Sequence, residues 1–383
     1  MFKAATSRHP GIQTLWIALL VFSLNQAIEL THLRFYDKPY AALCDWDCGW
    51  YASIVEGGYD EQAHAHERGD AANWAFFPAF SLTARAVALL GDWPTGTTLI
   101  ICSKLFFLLS IAAFIRFAQS WATTTSPWVA GAVAALHPYA LYGNVGYTEP
   151  MYLLFSCLCL TAARQGRFLS AGLAGGVLSA VRPTGIFVIL AVAAEALRRF
   201  PGANHTLRLK MVLGVLLVPM GLALFMAFLH HLMGDALAFS HVQIAWSRIP
   251  DNPFVHLYQG LIATDPLRQL WAFMALCALL MSAWLGWRGE YGLAAFAVCA
   301  TLVPLSTGLA ALPRYLWWQA PLLLVLAQML SVGGRRMRFP GHGVYRQTLL
   351  RLVSLLPYVV LPLSLWGQSL MYRAWMLREG YVI

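Results

Sequence analysis

Acidic residues are scarce in this sequence: 17 Asp and Glu stand against 26 Lys and Arg in 383 residues. Charged residues of both signs reach only 11%, where a soluble globular domain carries roughly 25%. That shortage excludes an ordinary soluble protein. Long polar linkers are missing too, so one polytopic bundle over 1–383 is expected rather than a string of modules. No basic polar segment could form a nucleic-acid face. The net charge of +9 is instead the cationic excess that membrane proteins carry in cytoplasmic loops. No Cys-x-x-Cys pair is present, which removes the commonest zinc signature. Cys102, Cys157, Cys159, Cys277 and Cys299 lie within apolar runs, where packing is the expected role. No small-residue cleavage site closes the first apolar run, so it is expected to stay as a span. No segment has a convincing second copy.

What is present is apolar sequence, 59% of the chain. Apolar segments fall near 11–30, 75–91, 97–118, 127–143, 149–163, 170–197, 209–233, 267–287, 291–309, 315–332 and 352–370. Most approach the ~20 residues of a spanning helix. The expectation is an all-α polytopic membrane protein with about 11 transmembrane or half-membrane helices. Lys3 and Arg8 place the N-terminus in the cytoplasm. Arg164 with Arg167, then Arg198, Arg199, Arg208 and Lys210, mark further cytoplasmic loops. Arg335, Arg336, Arg338, Arg346 and Arg351 mark the basic loop 333–351.

Two segments conflict with simple counting. Residues 170–197 lie between two cytoplasmic loops, yet 28 residues are too few for two crossings. "RPTG" at Arg182–Gly185 interrupts them. Proline removes a helix donor and the residue before it avoids helix, so two half-helices meeting inside the membrane are predicted. Residues 75–91 give a consistent topology only if they dip into the outer leaflet. A full crossing is the alternative.

That topology puts 13 acids on the outer side: Asp37, Asp45, Asp47, Glu56, Asp60, Glu61, Glu67, Asp70, Asp92, Glu149, Asp235, Asp251 and Asp265. The external loops are 31–96, 143–150 and 234–266. Any acid chemistry belongs there, above all in "CDWDCGWY" (44–51). As a helix over 42–56 lying on the membrane surface, Leu43, Trp46, Trp50 and Ile54 form one apolar stripe. Asp47 and Tyr51 then share an adjacent face, and Asp45 points about 200° away from Asp47. An extended backbone would instead place both aspartates on one side, as a metal-binding Asp-x-Asp does. In the helical case Cys44 and Cys48 stand about 5–6 Å apart at Cβ, too far for the ~3.8 Å of a disulfide.

"WDCGWYASIVEGGYD" (46–60) resembles the W-D-x-x-W/H-Y-x-x-I-A-x-x-G-Y signature of PIG-V-type mannosyltransferases. "WAFFPAF" (74–80), "NVGYTEPMYLL" (144–154), "SAVRPTG" (179–185) and "LPRYLWWQAPLLL" (312–324) resemble that family's further segments, in order. "GDALAFSHVQIAWSR" (234–248) resembles its external loop, with Ala236 in place of the usual proline. The resemblance implies a GT-C bundle. It implies inverting transfer of a sugar, mannose in the family, from a polyprenyl-phosphate donor to a lipid or glycan acceptor at the outer face. The shortness beside eukaryotic members points to a bacterial inner-membrane protein with a periplasmic site, or to the endoplasmic reticulum in a eukaryote. The family's eukaryotic acceptor belongs to GPI-anchor biosynthesis, so another acceptor is expected here.

Such chemistry needs a carboxylate to take the acceptor proton and cations for the leaving phosphate. Asp47 is the expected base, with Tyr51 orienting it and Glu149 as a further acid of the site. Arg314 and Arg182 are the candidates for the phosphate, ahead of Arg85 and Lys104. An intramembrane arginine marks function by default. Trp46, Trp50, Tyr147, His241, Gln243, Trp246 and Arg248 are candidates for sugar or acceptor contacts. No cofactor and no obligatory metal is expected, because arginine can neutralise one phosphate. The partners expected are membrane lipid, the lipid-linked donor and an unknown acceptor, with no nucleic acid. A transporter or flippase of lipid-linked sugars is the competing class, but it should show inverted repeats. A non-catalytic scaffold would explain neither the ordered motifs nor Arg182.

Overall fold

Helices in this chain follow the apolar runs, and several of them stop beside proline or glycine. The computed structural model describes residues 10–62, 71–332 and 344–380. Lys3, Arg8, Glu67, Asp70 and the loop arginines Arg335, Arg336 and Arg338 lie outside the described residues, as does most of the basic loop 333–351. The helices are α1 (Pro10–Phe35), α2 (Asp47–Gly57), α3 (Pro78–Ala88), α4 (Thr95–Trp121), α5 (Pro127–Ala135), α6 (Glu149–Arg164), α7 (Phe168–Val181), α8 (Val188–Arg199) and α9 (His205–Leu217). Then come α10 (Met220–Met233), α11 (Ala238–His241), α12 (Pro253–Leu261), α13 (Pro266–Trp287), α14 (Tyr291–Leu305), α15 (Leu312–Leu316), α16 (Ala320–Val332) and α17 (Val344–Met376). No strand occurs among the described residues.

Among the described residues three helices, α1, α4 and α13, are long and apolar enough to cross a membrane. The pair α9–α10 adds a fourth if its 41° bend is counted as one span. That bend corrects the reading of 209–233 as one uninterrupted segment: Pro219 separates the two helices, where it removes a helix donor. Segment 127–143 needs the same correction. α5 ends after nine residues, and Pro138 starts a 3-10 turn, Pro138–Gly143. At 170–197 the expected break is present: α7 ends, Arg182 is extended (φ −156, ψ 150), and a 3-10 turn Pro183–Phe187 leads into α8. α3 has 11 residues, about 16 Å of rise, roughly half the hydrocarbon thickness.

The expected helix over 42–56 is the third correction. A 3-10 turn covers Tyr40–Leu43, the chain then kinks, and the helix begins only at Asp47. Cys44 lies before the helix, so the helical spacing that argued against a disulfide does not apply. Cys44 and Cys48 are bonded, with Cα atoms 5.2 Å apart.

α4 is the central post; α1, α2, α3, α5 and α6 pack on it. Phe107, Ile111, Phe114 and Phe117 make its buried side. One ion pair ties α1 to α4 at depth, Lys104 Nζ to Glu29 Oε1 at 2.5 Å. α7 lies on α9 and α10 through glycines. A Cβ at Gly221 would overlap the carbonyl oxygen of Gly176, so the two backbones meet with only hydrogen between them. At the C-terminal ends of α6 and α8, Arg164, Arg198 and Arg199 gather around Glu195 and Glu290.

Candidate active site

The site forms at the opposite end of α6, where α2, the 182 hinge and α15 converge. Asp47 is the first residue of α2, where the helix dipole favours a negative charge. Its backbone N–H donates to the Tyr147 hydroxyl at 3.0 Å. Its Oδ2 lies 2.8 Å from Arg314 Nη1. The chain reaches Asp47 through Trp46 at φ 54, ψ −116. A positive φ on a bulky residue costs of order 1–3 kcal/mol and persists only where surroundings impose it. Asp45 precedes the helix and faces elsewhere. Its Oδ1 accepts the Trp46 N–H at 2.9 Å and its Oδ2 lies 2.8 Å from Arg378 Nε. The two aspartates therefore differ, but through the kink at Trp46 rather than through helical periodicity.

Glu149 opens α6 and is wholly buried. Its Oε1 stands 2.5 Å from Arg182 Nη2 and 3.0 Å from Arg314 Nε. Its Oε2 makes no hydrogen bond among the described residues. Arg182 also donates from Nε to the Thr148 hydroxyl at 2.8 Å. Extended backbone at 182, imposed by Pro183, aims this guanidinium inward. Arg314 sits among the rings of Tyr142, Tyr147 and Tyr315, 5.2–5.5 Å from their centroids. Ring faces attract a desolvated cation. Arg248 comes from the loop after α11. Its Nη1 is 3.4 Å from the Tyr315 hydroxyl and 3.4 Å from Gln243 Oε1, and it pairs with no acid among the described residues.

A cavity of about 300 Å³ opens onto this cluster. Asp47, Tyr51, Arg182, Arg248, Arg314 and Tyr315 line its polar side; Phe76, Phe77, Phe239 and Trp246 line much of the rest. Three arginines against two carboxylates leave one positive charge when all are ionised. The arrangement suits an anion joined to something with apolar and hydroxyl faces. Asp47 and Glu149 are bridged by Arg314, and no group of three His, Cys, Asp or Glu gathers among the described residues. A divalent ion between these two acids would stand against that guanidinium, so this donor set does not fit a metal.

The sequence-predicted residues divide into three groups. Asp47, Tyr51, Arg182, Gln243, Trp246, Arg248 and Arg314 line the cavity. Glu149 and Tyr147 lie behind it, holding Arg182, Arg314 and Asp47. Trp50 is one layer back, stacked on Phe76 and edge-on to Trp246, and Trp46 does not line the cavity. His241 lies outside: its Nδ1 meets Asp235 at 2.7 Å and the ring is largely exposed. The bond from His241 holds the Asp235 carboxyl below its ordinary range. Tyr51 does not orient Asp47, since its hydroxyl lies 3.4 Å from Thr148 Oγ1. Burial raises the Tyr51 phenol well above its ordinary value, so it keeps its proton. Lys104 is engaged by Glu29, and Arg85 is exposed. Sequence reasoning missed Tyr315 and Thr148. Tyr315 follows Arg314 directly, and its neighbour drew the attention.

No family model and no curated protein matches this sequence. Solved structures do resemble the fold. The oligosaccharyltransferase of Archaeoglobus fulgidus in its apo form aligns with a TM-score of 0.53 at 12% identity, over 96% of this chain and 57% of that one. The archaeal oligosaccharyltransferase AglB from Archaeoglobus fulgidus, in complex with an inhibitory peptide and a dolichol-phosphate, aligns at 0.46 and 12%, over 92% and 56%. This chain thus spans a little over half the length of each. At such identity the likeness is one of fold alone, over the part of the oligosaccharyltransferase that aligns.

Proposed function

We propose that this protein is a membrane glycosyltransferase that moves a sugar from a polyprenyl-phosphate carrier to a hydroxyl acceptor with inversion. One observation carries the reading: a cavity-facing carboxylate, Asp47, shares its guanidinium, Arg314, with a cluster that has one uncompensated positive charge. The likeness of fold to an oligosaccharyltransferase supports the reaction class. Mannose and PIG-V-type activity rest on the sequence resemblance, as does a site on the outer face of the membrane.

In this mechanism a lone pair on the acceptor oxygen attacks the anomeric carbon. The bond from that carbon to the phosphate oxygen breaks, its electrons leaving with polyprenyl phosphate. The hydroxyl proton passes to Asp47. The donor is a phosphodiester with one negative charge; the product phosphate gains a second. As the proton neutralises Asp47, Arg314 loses that partner, stays on Glu149 through Nε, and can turn its Nη1 to the phosphate. Arg248 and the Tyr315 hydroxyl complete the phosphate seat. Arg182 remains on Glu149 and keeps the wall in place. Gln243 and Trp246 offer an amide and a ring face to the sugar. No step passes through a metal.

Incubating the purified chain in lipid nanodiscs with radiolabelled polyprenyl-phosphate sugars, mannose first, and a hydroxyl-bearing lipid extract tests this. Release of polyprenyl phosphate with label in an acceptor is the expected result. Passage of intact donor across vesicles without any cleavage would move the protein to the transporter class.

A further inference from the structure

We infer that the Cys44–Cys48 disulfide is a positioning device for Asp47, so that full transfer requires an oxidised protein; this rests on the transferase reading above. The bond closes a tight loop, its two ends four positions apart, that delivers Asp47 to the cavity. Cys48 is wholly buried. A Cβ at Gly146 would come within 2.6 Å of Cys48 Sγ, so the sulfur lies against bare backbone. Gly146 has φ +74, a conformation that glycine adopts freely. Its neighbours in sequence are Tyr147, Thr148 and Glu149. Cys44 packs on Gly96 at the start of α4, where a Cβ would come within 3.1 Å of its Sγ. The disulfide is thus wedged between the central post and the loop that supplies the second acid. On the same loop the Tyr147 hydroxyl takes the Asp47 N–H.

The backbone around it requires such a clamp. Trp46 is held at φ 54 between the two cysteines, and a free chain would leave that conformation. Opening the disulfide removes the covalent tether on the N-terminal side of Asp47 and leaves one hydrogen bond and one ion pair to seat it. The disulfide also carries a compartment with it. Disulfides persist on oxidising faces of membranes and are rare on cytosolic ones. The two thiols lose two electrons and two protons to a disulfide of the thiol-oxidase class, which leaves as a dithiol. The same residues could be opened again by a dithiol reductant, itself oxidised to a disulfide.

The test uses the full chain purified without reductant. Alkylation followed by mass spectrometry should show Cys44 and Cys48 protected and joined; free thiols at both positions would overturn the proposal whatever the activity. A dithiol reductant should lower kcat about tenfold or more with little change in donor KM, because small misplacements of a catalytic group act on the chemical step. Reoxidation should restore the rate. Hydrogen exchange at 47–49 should quicken on reduction while α4 and α6 stay protected. Unchanged rate or unchanged exchange in the reduced form would each sink it. A Cys44→Ala, Cys48→Ala protein should behave as the reduced form does. If the oxidised protein transfers no sugar at all, the transferase reading fails, while the exchange measurement still decides whether the disulfide seats Asp47.

Discussion

The two ends of α6 carry the same charge inventory in opposite settings. At the N-terminal end, Asp47 and Glu149 face Arg182, Arg248 and Arg314; at the C-terminal end, Glu195 and Glu290 face Arg164, Arg198 and Arg199. About 22 Å of helix separates them. The difference is how far water reaches the arginines, since both ends bury a carboxylate, Glu149 at 0% and Glu195 at 2% exposed. The Arg314 side chain is 5% exposed, that of Arg198 45%. Where water reaches, an ion pair contributes ~0.2–1 kcal/mol and serves to fasten helix ends. Where it does not, each ion forfeits several kcal/mol of hydration that its partners must offset. A membrane protein that only needed packing there would use apolar residues. Counting arginines therefore does not find a site; counting arginines kept from water, beside a cavity, does.

Substitutions at the two ends should separate them sharply. Asp47→Asn keeps the shape and removes the proton acceptor. It should cut transfer about 10²–10⁴-fold, measured on purified, folded protein; a wild-type rate would remove Asp47 from the chemistry. Glu149→Gln strips Arg182 and Arg314 of a buried partner. It should destabilise by about 3–5 kcal/mol, read by denaturant unfolding in nanodiscs, and wild-type stability would mean that water reaches this end after all. Arg248→Gln removes a cation that no acid needs, so stability should hold. Donor kcat/KM should fall by the ~1.5–3 kcal/mol of a charge-assisted bond, about 10–150-fold. Arg198→Gln at the far end should cost less than about 1 kcal/mol and leave transfer unchanged; an equal loss at both ends would erase the contrast. Excess chelator should change transfer least of all, and a strong loss would demand a metal that the Asp47–Arg314–Glu149 arrangement does not suit.

Much of this was legible in the sequence, for physical reasons that also mark its limits. "RPTG" announced its own break, because proline forbids the helix and an arginine beside it needs a reason to be in lipid. Pro138 and Pro219 obey the same rule yet stood inside continuous apolar runs, where hydropathy hides a hinge. Asp47 stood out from Asp45 by helical periodicity, but the actual cause is the turn at Trp46, which periodicity assumes away. The disulfide was hidden by that same assumption. Glu29 and Lys104 are 75 positions apart and meet at 2.5 Å; nothing local to either residue encodes the meeting. His241 looked apt as a polar side chain in a site loop, but a nearby carboxylate, Asp235, held it outside.

The glycine contact between α7 and α10 has a consequence at the other side of the cavity. α7 ends at Arg182, and α10 carries Phe225, whose ring meets Phe77 at 4.8 Å. Phe77 in turn meets Phe239 at 5.2 Å, and both rings line the cavity. The guanidinium and the aromatic wall therefore hang from two helices whose separation is fixed where Gly221 passes Gly176. A single methyl group at that crossing would act as a shim, spreading the helices and widening the gap between charge and ring. The bore of the cavity is gauged, in effect, by one α-hydrogen of Gly221 lying against a carbonyl oxygen.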